Sequence, residues 1–370
     1  MFTITSNDGK ARTGIIKTLH GEIRTPCFVP LATQGSVKAM FPALLDQIGF
    51  DSVMCNAYHL YLQPGAEIVQ KLGGLHSFIG YPKPLWTDSG GFQVFSLKDS
   101  KVSEQGVTFR SHIDASSHTL TPERSINIQQ QLGADIIFTF DHCLAHDSEY
   151  VVAKDAMERT HRWAERCLRE FNKKKENQLL YGVIQGGKYP ELRKESAKFI
   201  ASLPFDGFGM GSLFGDPKEE TQKIALAMMV LLPEDKPKHF LGIGSIDDFF
   251  YYVEMGGDTF DCVLPTRLGR IGYAFIRPES GGNTKNKFRM RITNTKFKLD
   301  KKPLDTHCSC YVCQHFSRAY LRHLWKAHEL SFYTLVTYHN LHFFYTLMQE
   351  MRSAIEKRKF KELKKQWLKN

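Results

Sequence analysis

Eight short apolar or β-branched runs set the strongest limit on how this chain can fold. They lie at Cys27–Leu31, Ser52–Asn56, Pro84–Thr87, Ile136–Phe140, Leu179–Ile184, Phe205–Met210, His239–Ile243 and Phe260–Leu264. Amphipathic segments separate most of them, so the pattern is strand, helix, strand over about 240 residues. A continuous apolar run suits a parallel strand covered on both faces, and repeated strand–helix units build parallel sheets. Eight such units predict an α/β fold of the (β/α)8 barrel type, the TIM barrel, in preference to an open doubly wound sheet. No Gly-x-Gly-x-x-Gly opens the first crossover, which counts against a dinucleotide-binding sheet.

The helix boundaries carry their own signals. In TPERSINIQQQLG, Thr121 is placed to cap, Pro122 to start and Gly133 to stop a helix. Further helices are expected over Glu149–Lys173, Pro190–Ser202, Pro217–Leu232 and Ile246–Met255. Residues 1–26 read as a β appendage with a turn at Asn7-Asp8-Gly9. The segment Lys98–Ser117 interrupts the rhythm as a β-hairpin insertion. Beyond Arg270 the pattern stops, and one long helix from about Ser331 is expected to close the chain. Residues 1–270 are therefore expected to form the appendage and barrel, and residues 271–370 a basic, zinc-binding subdomain.

Polar residues that are unusual in a core fall at the C-terminal ends of the runs: Asp88-Ser89-Gly90-Gly91, Asp141, Gln185-Gly186-Gly187, Gly211-Ser212, Gly242 and Gly244, and Asp261. In a (β/α)8 barrel these ends converge on one face, where active sites lie. Turn and cap chemistry explains any one of them, and less well their common placement. Asp261 stands inside an apolar run, where an ionised carboxylate is costly unless a site uses it. Pro265 is expected to end that strand, with Arg267 and Arg270 following in a loop kept open by Gly269. A carboxylate with two guanidinium groups beyond it suits a polyanionic substrate, although an interior Asp–Arg pair would fit the spacing equally.

Charge and cysteine usage narrow the partners. The formal net charge is +10. Residues 283–302 hold eight Lys/Arg against one Asp, and residues 351–370 eight against two Glu. Two dense basic segments around a cysteine knuckle favour a nucleic-acid face. Cys308, Cys310 and Cys313 are crowded, whereas Cys27, Cys55, Cys143, Cys167 and Cys262 are scattered. That is no secreted disulfide framework, and three thiols in six residues point to zinc. His315, His323, His328, His339 and His342 all lie within reach as a fourth ligand, and spacing does not choose among them. The N-terminus has no apolar signal region and no run approaches a membrane span, so a soluble, cytoplasmic protein is expected.

Three stretches carry a family resemblance: Phe260–Arg267 (FDCVLPTR), Asp88–Val94 (DSGGFQV) and His339-Asn340-Leu341-His342. They closely resemble the signatures of the tRNA-guanine transglycosylases, in family order, over a match from about residue 13 to the C-terminal tail. The length resembles the bacterial branch. The resemblance implies a pentosyltransferase, a glycosyltransferase of tRNA processing and queuosine biosynthesis that works as a homodimer. It would exchange guanine at the wobble position of the tRNA anticodon for a free 7-deazaguanine base. It further implies Asp261 as nucleophile, forming a covalent ester with the ribose, and Asp88 as general acid/base. Phe92 would stack on the base, Asp141 with Cys143 close by would receive its N1–H and amino group, and Gln185 would bond its carbonyl. Ser212, Leu213 and Leu241 would complete the base pocket, and Val263, Leu264, Arg267 and Arg270 would meet the RNA. His339 is selected as the fourth ligand of one structural Zn2+ with Cys308, Cys310 and Cys313.

Two places depart from the family pattern. The loop Gly211–Pro217 (GSLFGDP) is one residue shorter than the usual GGLAVGEP, and Leu241 replaces a stacking Met. Both line the base pocket in the family, so prequeuosine base and queuine both remain open, with a roomier pocket favoured if Phe214 points away. A rival class, a non-catalytic RNA-binding partner subunit of the same fold, has no use for the pair Asp88 and Asp261. A zinc-dependent barrel hydrolase would need an open metal position, which a closed Cys3His set lacks.

Overall fold

Eight parallel strands close into one barrel. The computed structural model describes residues 1–145, 147–174, 177–213 and 218–369. The strands are β1 (Cys27–Pro30), β2 (Val53–Cys55), β3 (Leu85–Thr87), β4 (Ile136–Phe138), β5 (Leu179–Ile184), β6 (Gly207–Met210), β7 (Lys238–Phe240) and β8 (Thr259–Cys262). From β2 to β8 each strand pairs in parallel with the next. Strand β8 pairs back onto β1, and a parallel bridge from Leu31 to Met54 joins β1 to β2. Closure removes the exposed edges that an open sheet would leave.

The barrel interior is filled from below. Val29, Met54, Trp86, Ile136, Phe138, Tyr181 and Val183 form the inner cluster, joined by Ile16 and Ile23 of the N-terminal appendage. That appendage is a three-stranded antiparallel sheet, Phe2–Asp8, Ala11–Thr18 and Gly21–Thr25. Buried ion pairing clamps it to the barrel floor. Arg12 grips both oxygens of Asp258, Nε to Oδ1 at 2.9 Å and Nη2 to Oδ2 at 2.6 Å. Asp135, just before β4, receives His20 Nδ1 at 2.8 Å, His76 Nε2 at 3.0 Å and the Leu85 N–H at 2.8 Å. With its floor plugged, the barrel can open only at the C-terminal ends of its strands.

The helix signals hold where they are strongest. Thr121 Oγ1 accepts from the Arg124 N–H, the helix runs Pro122–Leu132, and Gly133 ends it at φ 73°. Tyr150–Phe171, Pro190–Ala201 and Ile246–Glu254 follow as expected, and Lys218–Met229 carries the described part of the fourth, since Pro217 lies outside the described residues.

Three expectations need correction. The insertion is a three-stranded sheet, because Ser117–Leu120 adds to the pair Lys101–Val102 and Val107–Arg110. Residues Leu264–Arg270 form a helix, with Pro265 in its first turn, where a missing N–H costs nothing. Gly269 therefore opens no loop; a Cβ there would lie 2.9–3.1 Å from Thr337, so glycine lets this helix touch the closing one. The closing helix is in fact two, Leu330–Glu356 and Phe360–Leu368, broken where Arg358 takes φ 56°. The turn folds the basic end back, and Trp367 packs against Phe250, Phe288 and Phe343. Phe344 of the longer helix meets Phe28 and Phe249 on the outer face of the barrel.

Candidate active site

A cavity of about 580 Å³ opens at the C-terminal ends of the strands. Asp88, Phe92, Asp141, Cys143, Gln185, Ser212, Leu241, Asp261, Val263 and Arg267 all line it. Residues more than 170 positions apart thus meet because each follows a strand of one closed ring. Leu213 is buried in the core, and Leu264 and Arg270 stand outside the lining, Arg270 turning its Nε to the Thr266 carbonyl at 3.2 Å. Phe214 lies outside the described residues.

The two barrel carboxylates Asp88 and Asp261 have different surroundings. Asp261, next to last in β8, is buried; its Oδ1 accepts from the Gly242 N–H at 3.1 Å and from His239 Nε2 at 3.0 Å. Asp88 follows β3 and accepts from Asn56 Nδ2, the Ala57 N–H at 2.9 Å and Gln93 Nε2 at 2.9 Å. Burial pushes the Asp88 carboxyl up to about 6; its three donors oppose that shift, and the charge of Asp261 adds to it. A carboxyl poised near neutrality beside a second carboxylate can trade a proton during a reaction.

Asp141, after β4, forms a separate buried acceptor. Gln185 Nε2 donates to its Oδ2 at 2.6 Å, Cys143 Sγ to the same oxygen at 3.2 Å and Ser89 Oγ to Oδ1 at 3.4 Å. Burial raises the Asp141 carboxyl against these donors. Burial also lifts the Cys143 thiol well above its ordinary range, which keeps it a neutral donor. Phe92 lines the cavity with 58% of its surface exposed.

Reading the sequence missed Asn56, His59, Gln93 and His239. Asn56 and His59 line the cavity from the end of β2, where Asn56 closes the run Ser52–Asn56 that reads as an apolar strand. His239 was counted into an apolar strand run. A histidine there is the same kind of anomaly as Asp261, and that was the available signal.

A family model described as queuine tRNA-ribosyltransferase matches residues 7–370. A protein of that name from Herpetosiphon aurantiacus is 47% identical over 369 residues, covering 99% of this chain and 91% of the relative. The relative of the same name from Natranaerobius thermophilus is also 47% identical, over 95% of this chain and 93% of its own length. Another from Fusobacterium nucleatum is 44% identical over 99% and 97%. The chain belongs to the queuine tRNA-ribosyltransferase family.

This queuine tRNA-ribosyltransferase family member also carries a metal-ligand cluster outside the barrel. Cys308, Cys310, Cys313 and His339 bring their ligand atoms within 4.8 Å of one another. His339 Nδ1 lies 3.8, 3.5 and 3.3 Å from the three sulfurs. Tetrahedral zinc with three thiolates and one imidazole would set N···S separations of about 3.6 Å. His339 Nε2 lies 2.7 Å from the Phe275 carbonyl. A carbonyl only accepts, so Nε2 carries the hydrogen and Nδ1 turns its lone pair to the thiols. The residues therefore fit a metal ion. His342 is not one of the four; its Nδ1 is 3.3 Å from Thr346 Oγ1, and burial pulls it down to about 4. Among the described residues no helix is long and apolar enough to cross a membrane.

Proposed function

We propose that this chain catalyses tRNA-guanine transglycosylation in queuosine modification, through a covalent intermediate on Asp261. What supports the reading most is the joint placement of Asp88 and Asp261 in one cavity with Asp141, a buried acceptor able to receive two adjacent N–H groups. Guanine offers that pair, its N1–H and exocyclic amine.

The steps balance as a double displacement. An Asp261 oxygen attacks C1′ of the target nucleotide, the C1′–N9 bond breaks, and its electron pair leaves with guanine, which takes the Asp88 proton. The incoming 7-deazaguanine base then loses its N9 proton to Asp88 and attacks C1′, and the ester C1′–O bond breaks to restore the Asp261 carboxylate. Two inversions retain configuration, and no phosphodiester bond is cut. Phe92 would stack on the base, an interaction of roughly 1–3 kcal/mol. The target nucleotide must leave the loop stack, which costs least in single-stranded RNA.

Cys308, Cys310, Cys313 and His339 would hold one zinc ion with no open position, so its part is structural. Residues 271–370 would form the basic zinc-binding subdomain, with Val263, Leu264, Arg267 and Arg270 meeting the anticodon loop. The working unit would be a cytoplasmic homodimer.

The test is incubation with radiolabelled guanine and an unmodified tRNA whose anticodon begins with G. The wild type incorporates label and yields a denaturation-resistant RNA adduct, and Asp261→Asn does neither, a loss of several powers of ten. Normal exchange by Asp261→Asn would sink the nucleophile assignment. Competition by prequeuosine base and by queuine then sorts the incoming base. Because the shortened Gly211–Pro217 loop favours a roomier pocket, queuine should inhibit; inhibition by prequeuosine base alone would defeat that.

A further inference from the structure

Beneath the cavity floor lies a guanidinium that, among the described residues, pairs with no carboxylate. Arg193, on the helix Pro190–Ala201, is fully buried. Its Nε donates to the Gly187 carbonyl at 2.9 Å, Nη1 to those of Ile184 at 3.1 Å and Gly211 at 2.6 Å, and Nη2 to that of Ser212 at 3.0 Å. Burial pulls Arg193 down to about 10, which leaves it charged at neutral pH. A buried cation normally takes a carboxylate. Here four carbonyls, one ending β5 and three from the loops after β5 and β6, take that place, and these loops carry Gln185 and Ser212 into the cavity.

The consequence follows from peptide geometry. In a trans peptide the carbonyl and the next residue's N–H lie in one plane and point in opposite directions. Holding the Gly211 carbonyl towards Arg193 therefore turns the Ser212 N–H away from it, and holding the Ser212 carbonyl does the same for the Leu213 N–H. Away from Arg193, on this floor, is the cavity that Gly211 and Ser212 line. The loop does not relax into this shape unaided: Ser212 sits at φ 51°, which a residue with a β-carbon adopts only when its surroundings insist. Gly211 lies so close that a Cβ would come within 2.5 Å of Gln185 Nε2.

We propose that Arg193 is a positioning residue which, by holding the Gly211 and Ser212 carbonyls, aims the Ser212 and Leu213 N–H groups at the carbonyl edge of the bound purine. The inference rests on the base-exchange reading above. Its planar fork matters, because one ammonium point charge cannot hold four divergent carbonyls in the same way. Arg193 acts through backbone and touches no reacting atom.

Steady-state guanine exchange by the wild type, Arg193→Lys and Arg193→Met tests it. In Arg193→Met the KM for guanine rises about ten- to hundredfold, the loss of one or two hydrogen bonds to the base. Arg193→Lys recovers part of that loss, and the KM for tRNA stays unchanged in both. A fall in kcat with the guanine KM unmoved would show that Arg193 only holds the fold, and would overturn the proposal. Should Arg193→Met fail to fold, wild-type protein labelled with 15N-serine serves instead. Its Ser212 amide resonance shifts on titration with guanine, and a resonance that does not move overturns the proposal. No exchange by the wild type at all is a different result, and would remove the base-exchange reading together with this one.

Discussion

His239 holds Asp261 from inside the barrel. Its Nε2 lies 3.0 Å from Asp261 Oδ1 and its Nδ1 2.8 Å from Thr259 Oγ1, while Trp86 and Phe138 pack around the ring. An ionised carboxylate only accepts, so Nε2 carries the hydrogen, and in the neutral ring Thr259 donates to Nδ1. With the Gly242 N–H on the same oxygen, Oδ1 is doubly held, and Oδ2 would be the oxygen left to attack in the proposed exchange. Replacing His239 by Leu should slow formation of the RNA adduct by about 10- to 100-fold, the loss of one hydrogen bond to a charged group. His239→Gln, which keeps a donor, should recover part of the rate. Single-turnover adduct assays check this, and an unchanged rate in His239→Leu would remove the positioning role.

Asp88 predicts opposite pH limbs for the two half-reactions. Burial raises its carboxyl to about 6, with Asp261 adding to the shift. In the proposed exchange the protonated form would serve guanine departure, so adduct formation should fall as pH rises through that value. The ionised form would serve the incoming base, so attack on the isolated adduct should rise with pH. Once Asp261 is an ester its charge is gone, and the second limb should lie at lower pH than the first. Two limbs of the same direction would rule out one carboxyl alternating between both tasks.

Metal content gives a third test. The Cys308, Cys310, Cys313 and His339 set should hold one zinc per chain, stabilising the surrounding region by on the order of 10 kcal/mol. His339→Ala should lower the bound metal and the unfolding temperature, whereas His342→Ala should keep full zinc content. Equal zinc in wild type and His339→Ala would discard the ligand assignment.

Salt dependence tests the basic tail. Lys357, Arg358, Lys359, Lys361 and Lys365 are exposed, whereas Lys364 is tied to Glu254 at 2.5 Å. Neutralising the five exposed residues should reduce the salt slope of tRNA binding by about one unit for each RNA phosphate they had neutralised. Lys364→Ala should change stability more than the slope. A slope that stays put in the five-fold variant would make the tail plain solvated surface.

Much of this protein was legible from its sequence because the signals were local. Apolar runs separated by capped amphipathic segments dictate a parallel barrel, and Thr121, Pro122 and Gly133 bound their helix as short-range sterics and hydrogen bonding require. Asp88, Asp141, Gln185 and Asp261 betrayed themselves as polar residues at the ends of apolar strands. Three crowded cysteines announced a metal site, and spacing stopped there. Choosing His339 took the family resemblance, and its fit rests on a helix that places Nδ1 3.3–3.8 Å from three sulfurs. The helix Leu264–Arg270 escaped notice because seven residues with a proline and a glycine are weakly helical alone; packing of Gly269 against Thr337 stabilises it. Arg193 looks in sequence like an ordinary helix residue, and His239, though anomalous in an apolar strand, carries no sign there of the partner it meets. Only barrel closure decided their parts, since it set β7 beside β8 and buried one face of a surface helix under two loops, and burial is what turns a side chain's hydrogen bonds into constraints.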